Sequence, residues 1–350
     1  MPEDAAKSRT AVVLLYNVDP AWTPGERDEV VKESTRLGSA LGEAGHPVTL
    51  LPVSDAHLAR RLRALHIGKR VVLNWCEAIP GVPRSEAMVA AVLESMNLVY
   101  TGSDPTVLAL SGDKHRVKEL LVEAGVPTPA WRTFHKPERG PWRTFPAIVK
   151  AAKEHCSEGL TPESVVMTEE ELIRRVEFVL DTYGQPALVE DFVDGREFHV
   201  SLWGNGHIEM LPPAEMDFSS FGEIRERLCT YEAKFVPGSK HYKEIKTLLP
   251  APLDEKMLGE LEKVAVSAYR VIGCRDYGRI DIRLRDGVFF VLDVNPNADI
   301  SADASMACSA ELLGYSYGEM GSRLVSLAAR RHGPTEAAES FCDLDLMPDF

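Results

Sequence analysis

Two alternating segments near the C-terminal end constrain the fold more than any other part of the chain. Residues 278–285 read GRIDIRLR and residues 288–295 read VFFVLDVN, with Asp286 and Gly287 between them. An Asp-Gly pair between two such segments is a strong β-hairpin signal. Because successive side chains of a strand point to opposite faces, the first segment predicts one apolar face and one charged face.

The register of this hairpin decides whether its acidic residues meet. A two-residue turn at Asp286 and Gly287 puts Asp281 and Asp293 on opposite faces, whereas a three-residue loop over 286–288 sets them directly opposite each other. The second register also pairs apolar residues on the other face: Ile280 with Val294, Ile282 with Leu292, and Leu284 with Phe290. We therefore predict the three-residue loop, because the alternative inserts Asp293 among core residues.

The predicted charged face is suited to a divalent cation. Two carboxylates that face each other across a strand pair repel, and they destabilise the hairpin unless a cation lies between them. Asn295 falls on the same face as Asp281 and Asp293, and such oxygen donors suit Mg²⁺ and a polyphosphate. The alternative is a solvated hairpin face on which charges happen to align.

Composition limits the class of protein. The chain has 350 residues, a formal net charge of −14 and 45% hydrophobic residues, which are ordinary values for a globular protein. The negative charge argues against non-specific nucleic-acid binding, and no segment approaches the roughly 18 uncharged apolar residues of a membrane span. The six cysteines are scattered without a C-x-x-C pair. We therefore expect reduced thiols in a cytoplasmic protein, and neither a disulfide framework nor a zinc site.

The order of predicted elements indicates an α/β (α+β) fold in several blocks. Residues 1–106 alternate strands and helices, which is typical of a parallel sheet with helices on its faces. We expect this N-terminal α/β domain to be followed by a central subdomain at 107–193, a strand-rich C-terminal subdomain with the hairpin at 194–331, and a loosely held acidic tail at 332–350. The chain has no G-x-G-x-x-G and no G-x-x-x-x-G-K-[ST], which argues against a Rossmann dinucleotide site and a Walker P-loop.

Several stretches, in the right order, resemble motifs of the ATP-grasp superfamily and, within it, of the D-alanine–D-alanine ligase branch. Starting at residues 99, 111, 124, 146, 188, 231, 278 and 293, they read VYTGSDP, SGDK, AGVPTP, PAIVK, LVEDFVDGREF, YEAK, GRID and DVNP. The resemblance implies an ATP-grasp fold with an N-terminal parallel α/β (pre-ATP-grasp) domain.

The resemblance also implies that ATP and two Mg²⁺ ions, or Mn²⁺ in their place, share one cleft. The residues implied for the nucleotide are Lys114, Lys150 and Lys234 at the phosphates, Glu190 at the adenine amine, Phe192 and Val193 through their backbones, and Glu197 at the ribose. The residues implied for the metal ions are Asp281, Asp293 and Asn295. Lys234 and Arg279 are implied as the catalytic residues, with Arg279 facing the oxygen that becomes negative during attack.

The implied reaction is a ligation between small molecules. A substrate carboxylate attacks the γ-phosphorus, and an amine then displaces phosphate from the acyl phosphate. The implied partners are a carboxylate and an amine, without nucleic acid or membrane, and dimers are common among similar ligases. A lid over 153–164 would exclude water from the acyl phosphate. This lid is more acidic than the Gly/Ser-rich loop usual in the family, and it carries Cys156, a poor candidate nucleophile because His155 is the only base near it in sequence.

The acceptor side departs from the family pattern. Asp299 and Asp303 put negative charge where the family binds the carboxylate of the second D-alanine, unless Ser301 or Ser305 compensates. The Gly-Gly loop after the first strand is absent, and Glu26 could stand in for the glutamate that orients the amine. We therefore expect an ATP-dependent carboxylate–amine ligase whose substrates are not two D-alanines. The alternatives are an authentic D-alanine–D-alanine ligase, a non-catalytic nucleotide-binding protein, and a kinase or carboxylase on the same scaffold.

Overall fold

The computed structural model describes residues 9–153, 159–236 and 238–331. Strands and α-helices in these residues follow one another in an α/β order, and the strands form three sheets. In chain order the elements are β1 (Val12–Asn17), α1 (Pro24–Glu43), β2 (Val48–Val53), α2 (Leu58–Ala64), β3 (Val71–Trp75), α3 (Glu86–Ser95), β4 (Val99–Tyr100), α4 (Pro105–Ser111), α5 (Lys114–Glu123), β5 (Trp131–Phe134), β6 (Ala147–Ala151), β7 (Val165–Val166), α6 (Glu169–Tyr183), β8 (Ala187–Asp191), β9 (Arg196–Trp203), β10 (Glu209–Met210), β11 (Ala214–Asp217), α7 (Tyr231–Phe235), α8 (Lys240–Glu244), β12 (Lys246–Leu248), α9 (Glu255–Ile272), β13 (Tyr277–Arg285), β14 (Val288–Asn295), α10 (Ser305–Leu312) and α11 (Tyr317–Arg331).

The first sheet is parallel, with strand order β2-β1-β3-β4. All six residues of β1 are buried, so both faces of the sheet are covered. Val13 and Leu15 pack with α2 and α3 on one face, while Val12 and Leu14 pack with α1 and α11 on the other. This confirms the parallel sheet with helices on its faces that was predicted for the N-terminal part of the chain.

Helix α11, at the C-terminal end of the described chain, shares a core with the first sheet. Met320 and Leu324 of α11 lie in the same apolar cluster as Leu37 and Leu41 of α1. The fully buried Asp276 adds a polar connection: its carboxylate accepts hydrogen bonds from the Arg331 side chain at 2.9 and 2.7 Å, from the Asn205 amide at 2.8 Å and from the Gly102 backbone at 2.9 Å. Residues far apart in sequence are thus joined at one buried carboxylate.

The other two sheets are antiparallel. One has the order β5-β8-β6-β7, and the other has the order β12-β11-β9-β13-β14 with β10 paired to β9. Strands β9 and β10 form a hairpin, and the turn between them has Gly204 and Gly206 both at positive φ. No helix of the described residues is long and apolar enough to span a membrane.

The tip of the β13–β14 hairpin differs from the prediction. Arg285 pairs with Val288, so the turn contains only Asp286 and Gly287, with φ of +52° and +77°. Positive φ at both central residues is what a two-residue type I′ turn requires, and Asp-Gly supplies it at low cost. The predicted three-residue loop is therefore wrong.

A β-bulge lies further along the hairpin and restores the register at the charged face. Asp281 faces Asp293, as predicted, but the pairing shifts by one residue between Asp281 and Ile282. The predicted pairs of Ile282 with Leu292 and Leu284 with Phe290 are wrong, and the observed partners are Val291 and Phe289. The extra residue lets the strand keep both the tight turn and a buried apolar face without inserting Asp293 into the core.

Candidate active site

One cavity collects most of the residues predicted for nucleotide and metal binding. Its lining comes from β6 and β8 of one antiparallel sheet, from β9, β13 and β14 of the other, and from the first turn of α5. The predicted residues that line it are Lys114, Lys150, Glu190, Phe192, Val193, Glu197, Asp281 and Asp293.

Cross-strand pairing explains why the polar side chains of β9, β13 and β14 lie together. Residues opposite each other on antiparallel strands share a face and have neighbouring Cβ atoms. The polar pairs between β9 and β13 are Glu197 with Arg283, His199 with Asp281, and Ser201 with Arg279. The polar pairs between β13 and β14 are Asp281 with Asp293 and Arg279 with Asn295.

Each acid predicted to bind metal is matched by a cation of the protein. Lys114 Nζ lies 2.7 Å from Asp293 Oδ2, and Arg279 donates to both oxygens of Asp281 at 2.7 and 3.0 Å. The Asn295 amide also donates to Asp281, at 3.2 Å. Burial opposes the charge on Lys114 and Arg279, but the neighbouring carboxylates dominate and raise the pKa of both groups.

The donor set at these acids fits a divalent cation. Two carboxylates and an amide are hard-oxygen ligands of the kind that Mg²⁺ binds. Two partly buried cations of the chain, Lys114 and Arg279, balance the negative charge of these carboxylates. These contacts account for the stability of facing aspartates on a strand pair.

Glu190 lies between two lysines, one of which the sequence analysis missed. Its carboxylate is 2.8 Å from Lys150 Nζ and 3.0 Å from Lys118 Nζ, and the Lys118 ammonium also donates to the Thr128 hydroxyl at 2.8 Å. Burial raises the pKa of Glu190, but the two ammonium groups outweigh it and the net pKa is lowered. For Lys118, burial dominates and the pKa is lowered. The role of Glu190 at adenine stays a prediction.

Glu197 is held by two residues that the sequence analysis gave no role. Arg283 Nε donates to Glu197 Oε2 at 2.7 Å, and His199 Nε2 lies 3.4 Å from Oε1. Burial opposes ionisation, yet Arg283 and His199 together hold the pKa of Glu197 well below its usual range. Arg283 also donates to the Val193 carbonyl at 2.9 Å, which fixes the backbone that was predicted to contact adenine. This cluster could have been predicted in part from the sequence, because Glu197 and His199 are two residues apart on one strand and therefore share a face.

The region predicted to bind the acceptor has two exposed acids, and serine donors partly satisfy the charge of one of them. Asp299 and Asp303 are both exposed. The Ser301 amide and hydroxyl donate to the two Asp299 oxygens at 2.9 and 2.8 Å, so this serine stabilises the aspartate itself. Ser305 lies 3.5 Å from the Ser201 hydroxyl. The amide and the hydroxyl of Ser301 are therefore already hydrogen-bonded to Asp299 in this arrangement.

Two glutamates that the sequence analysis missed interact with this region. Burial and the charge of Asp299 raise the pKa of Glu77. Burial, followed by the charge of Glu77, raises the pKa of Glu86 to about 8, although Asn297 acts in the opposite direction through a hydrogen bond. Burial and the neighbouring carboxyl groups therefore favour the neutral, protonated forms of Glu77 and Glu86.

The remaining predicted residues lie elsewhere or beyond the described part of the chain. Glu26 is exposed and forms a capping box with Thr23 at the start of α1, so the structure does not bring it to the cavity. The backbone of Lys234 lies in α7, and its contact with ATP stays a prediction. Cys156, the centre of the predicted lid and the acidic tail at 332–350 fall outside the described residues.

Comparisons with known proteins identify the family and the fold of the chain. Residues 120–326 match the family described as D-ala D-ala ligase C-terminus. An uncharacterised protein, y4sG, of Sinorhizobium fredii is 35% identical over 84% of this chain and 86% of its own length. A D-alanine–D-alanine ligase of Aquifex aeolicus is 30% identical over 77% of this chain and 85% of its own length.

A solved structure shares the fold. The D-alanine–D-alanine ligase of Bacillus anthracis complexed with ATP superposes with a TM-score of 0.70 at 17% identity, covering 93% of this chain and all of that one. The predicted mixed α/β fold with an N-terminal parallel sheet is confirmed. The chain belongs to the D-alanine–D-alanine ligase-like family of the ATP-grasp superfamily.

Proposed function

We propose that this protein is an ATP-dependent ligase that joins a carboxylate to an amine through an acyl phosphate, with substrates other than two D-alanines. The observation that carries the proposal is one cavity that Lys114, Lys150, Asp281 and Asp293 line together. A pocket with cations on one side and hard-oxygen ligands on the other suits a metal-bound triphosphate.

The nucleotide would lie along this cavity. Lys114, Lys150 and Lys234 would neutralise its phosphates, and Glu197 would accept hydrogen bonds from the ribose hydroxyls. The buried residues Phe192 and Val193 would contact adenine through their backbones, and Glu190 would orient Lys150 beside them.

The metal ligands would be Asp281, Asp293 and Asn295, holding two Mg²⁺ ions with Mn²⁺ as a substitute. When bound, the ions supply positive charge to the phosphate oxygens. In the same arrangement Lys114 and Arg279, which now pair with the two aspartates, become available to anionic groups of the reactants.

The residues of the chain then have distinct parts in the reaction. The lysines hold the γ-phosphate while a substrate carboxylate oxygen forms a bond to phosphorus and ADP leaves. A neutral amine attacks the acyl carbon and loses a proton, and the bond between that carbon and the phosphate oxygen breaks, so that its electrons leave with inorganic phosphate. Arg279 would stabilise the oxygen that becomes negative, because a guanidinium keeps its positive charge at neutral pH with or without a carboxylate partner.

Asp299 is the main support for substrates other than two D-alanines. An exposed carboxylate repels an acceptor that carries its own carboxylate, and Ser301 already donates to Asp299. Its charge also acts on Arg279 and on Glu77. A cationic or neutral amine acceptor would fit this negative environment.

The names of the relatives favour a second candidate, an authentic D-alanine–D-alanine ligase. In that case Asp299 would have to be tolerated beside the acceptor carboxylate. The two candidates share the nucleotide and metal residues, and they differ only in the acceptor.

The test is ADP release by the purified protein with Mg²⁺·ATP and pairs of acids and amines. We expect turnover with an amine that lacks a carboxylate, and little with D-alanine alone. Robust turnover of D-alanine would overturn the substrate part of the proposal. ATP binding without ADP release for any pair would favour a non-catalytic nucleotide-binding protein.

A further inference from the structure

Glu197, His199 and Cys229 bring three kinds of metal-ligating atom to one point in the cavity. The carboxylate oxygen, the imidazole nitrogen and the thiol sulfur all lie within 4.8 Å of one another. Glu197 and His199 are two residues apart on β9, so both side chains leave the same face of the strand. All three residues line the cavity.

The backbone around Cys229 is fixed on both sides. Leu228 is buried in an apolar cluster with Ile148, Val165 and Phe192. Thr230 is also buried, and its hydroxyl caps α7 by accepting a hydrogen bond from the Ala233 amide at 3.2 Å. The Cys229 thiol therefore lines the cavity from a backbone segment that Leu228 and Thr230 hold in place on its two sides.

Arg283 orients the carboxylate of this cluster. Its guanidinium donates to Glu197 Oε2 and to the Val193 carbonyl, and only 3% of its side chain is exposed. The other oxygen, Oε1, faces His199. Supporting contacts of this type hold a metal ligand in one orientation.

We propose that Glu197, His199 and Cys229 form a binding site for a thiophilic divalent ion of the Zn²⁺ type, distinct in chemistry from the oxygen ligands Asp281, Asp293 and Asn295. Tetrahedral zinc has ligand bonds of about 2.0–2.3 Å, with ligand atoms roughly 3.3–3.8 Å apart. The present separations need a modest approach of the side chains. Three protein ligands leave a fourth position for water.

The ligand types select between the two kinds of ion. Nitrogen and thiolate ligands favour Zn²⁺ or Co²⁺, whereas an all-oxygen set suits Mg²⁺. His199 lies directly across the strand pair from Asp281, so an ion at the new site is a neighbour of the oxygen ligands. It also ties up Glu197, the residue proposed for the ribose. The ion and the nucleotide therefore exclude each other.

The test uses Co²⁺ as a spectroscopic probe of the purified full-length protein, without nucleotide. We expect a thiolate-to-cobalt absorption band that is lost in Cys229→Ser and retained in the matched control Cys308→Ser. His199→Gln keeps the thiol and should weaken Co²⁺ binding by at least about tenfold, a change of roughly 1.4 kcal/mol. Circular dichroism checks that each variant is folded, and His199→Gln still tests the site if Cys229→Ser does not fold.

A wild-type protein without the band, or a band that persists in folded Cys229→Ser, would overturn the site. In a second arm, adenosine, which carries the ribose but no phosphates that chelate Co²⁺, is added to the cobalt-loaded protein, and we expect the band to decrease. A band that survives saturating adenosine, with adenosine binding verified by calorimetry, would show that the two ligands bind together and would remove the exclusion. The cobalt experiment does not depend on ligase activity, so it still tests the metal site if the protein proves not to be a ligase.

Discussion

Replacing Glu190 with glutamine is expected to destabilise the protein strongly, because one carboxylate balances two buried ammonium groups. Glu190 is 1% exposed and Lys118 is 2% exposed, at a separation of 3.0 Å, and Lys150 lies at 2.8 Å. In the variant, Lys118 keeps only the Thr128 hydroxyl as a described partner. Removing one member of a buried ion pair costs about 3–5 kcal/mol.

The cost should depend on pH. The pKa of Glu190 is lowered in the folded state, so its contribution is present above the unfolded pKa of the carboxyl group and is lost as the pH falls through the lowered value. The difference between wild type and Glu190→Gln should therefore shrink in acid. It should also shrink at high pH, because Lys118, whose pKa burial already lowers, can lose its proton in the variant.

Urea unfolding followed by tryptophan fluorescence measures this effect. The matched control is Glu29→Gln, which removes an exposed pair with Lys32 at 2.9 Å and should change stability by less than about 0.5 kcal/mol. Adding Lys118→Met to Glu190→Gln should recover part of the loss, since the unpaired ammonium is removed. The reasoning fails if Glu190→Gln is no more destabilising than Glu29→Gln.

Three further predictions concern the hairpin, the metal ligands and the acceptor side. A Cβ at Gly195 would overlap the Leu284 carbonyl oxygen, so Gly195→Ala should clearly lower the melting temperature. A Cβ at Gly222 meets no atom within 4 Å, so the control Gly222→Ala should leave the melting temperature unchanged. Equal shifts in the two variants would contradict the packing argument. Asp281→Asn should reduce the Mg²⁺-dependent gain in ATP affinity by at least about tenfold in calorimetry, and an unchanged gain would remove Asp281 from the metal ligands. Burial raises the pKa of Glu86 to about 8 from a usual 4.5, so the stability of the wild type should fall as the pH rises between these values. Glu86→Gln should abolish that fall. The prediction is refuted if the melting temperatures of wild type and variant change with pH in parallel.

The sequence was most informative where one local pattern had a single physical solution. Alternation in β13 and β14 predicted a charged face with Asp281 opposite Asp293, and the structure has that pair. The tip could not be predicted correctly because two demands compete there. The Asp-Gly turn requires one register and the charged face requires another, and a bulge between Asp281 and Ile282 satisfies both.

Residues that act through tertiary contacts gave little sequence signal. Lys118 occupies an ordinary helical position in α5, and only the approach of β8 turns it into a buried partner of Glu190. Arg283 lies two residues after Asp281 on β13, but it contacts Glu197 of β9 and the backbone carbonyl of Val193. Glu26 lies three residues after Thr23, a spacing that fits helix capping, although it was predicted to orient a substrate amine.

The position of α11 has a consequence for how the chain acquires its structure during synthesis. Val12 and Leu14 leave the ribosome long before Met320 and Leu324, which cover the same face of the sheet. Until then that side of the parallel sheet lacks part of its cover, and such exposed surface favours aggregation. A nascent chain that stalls before α11 is therefore a natural client for a chaperone.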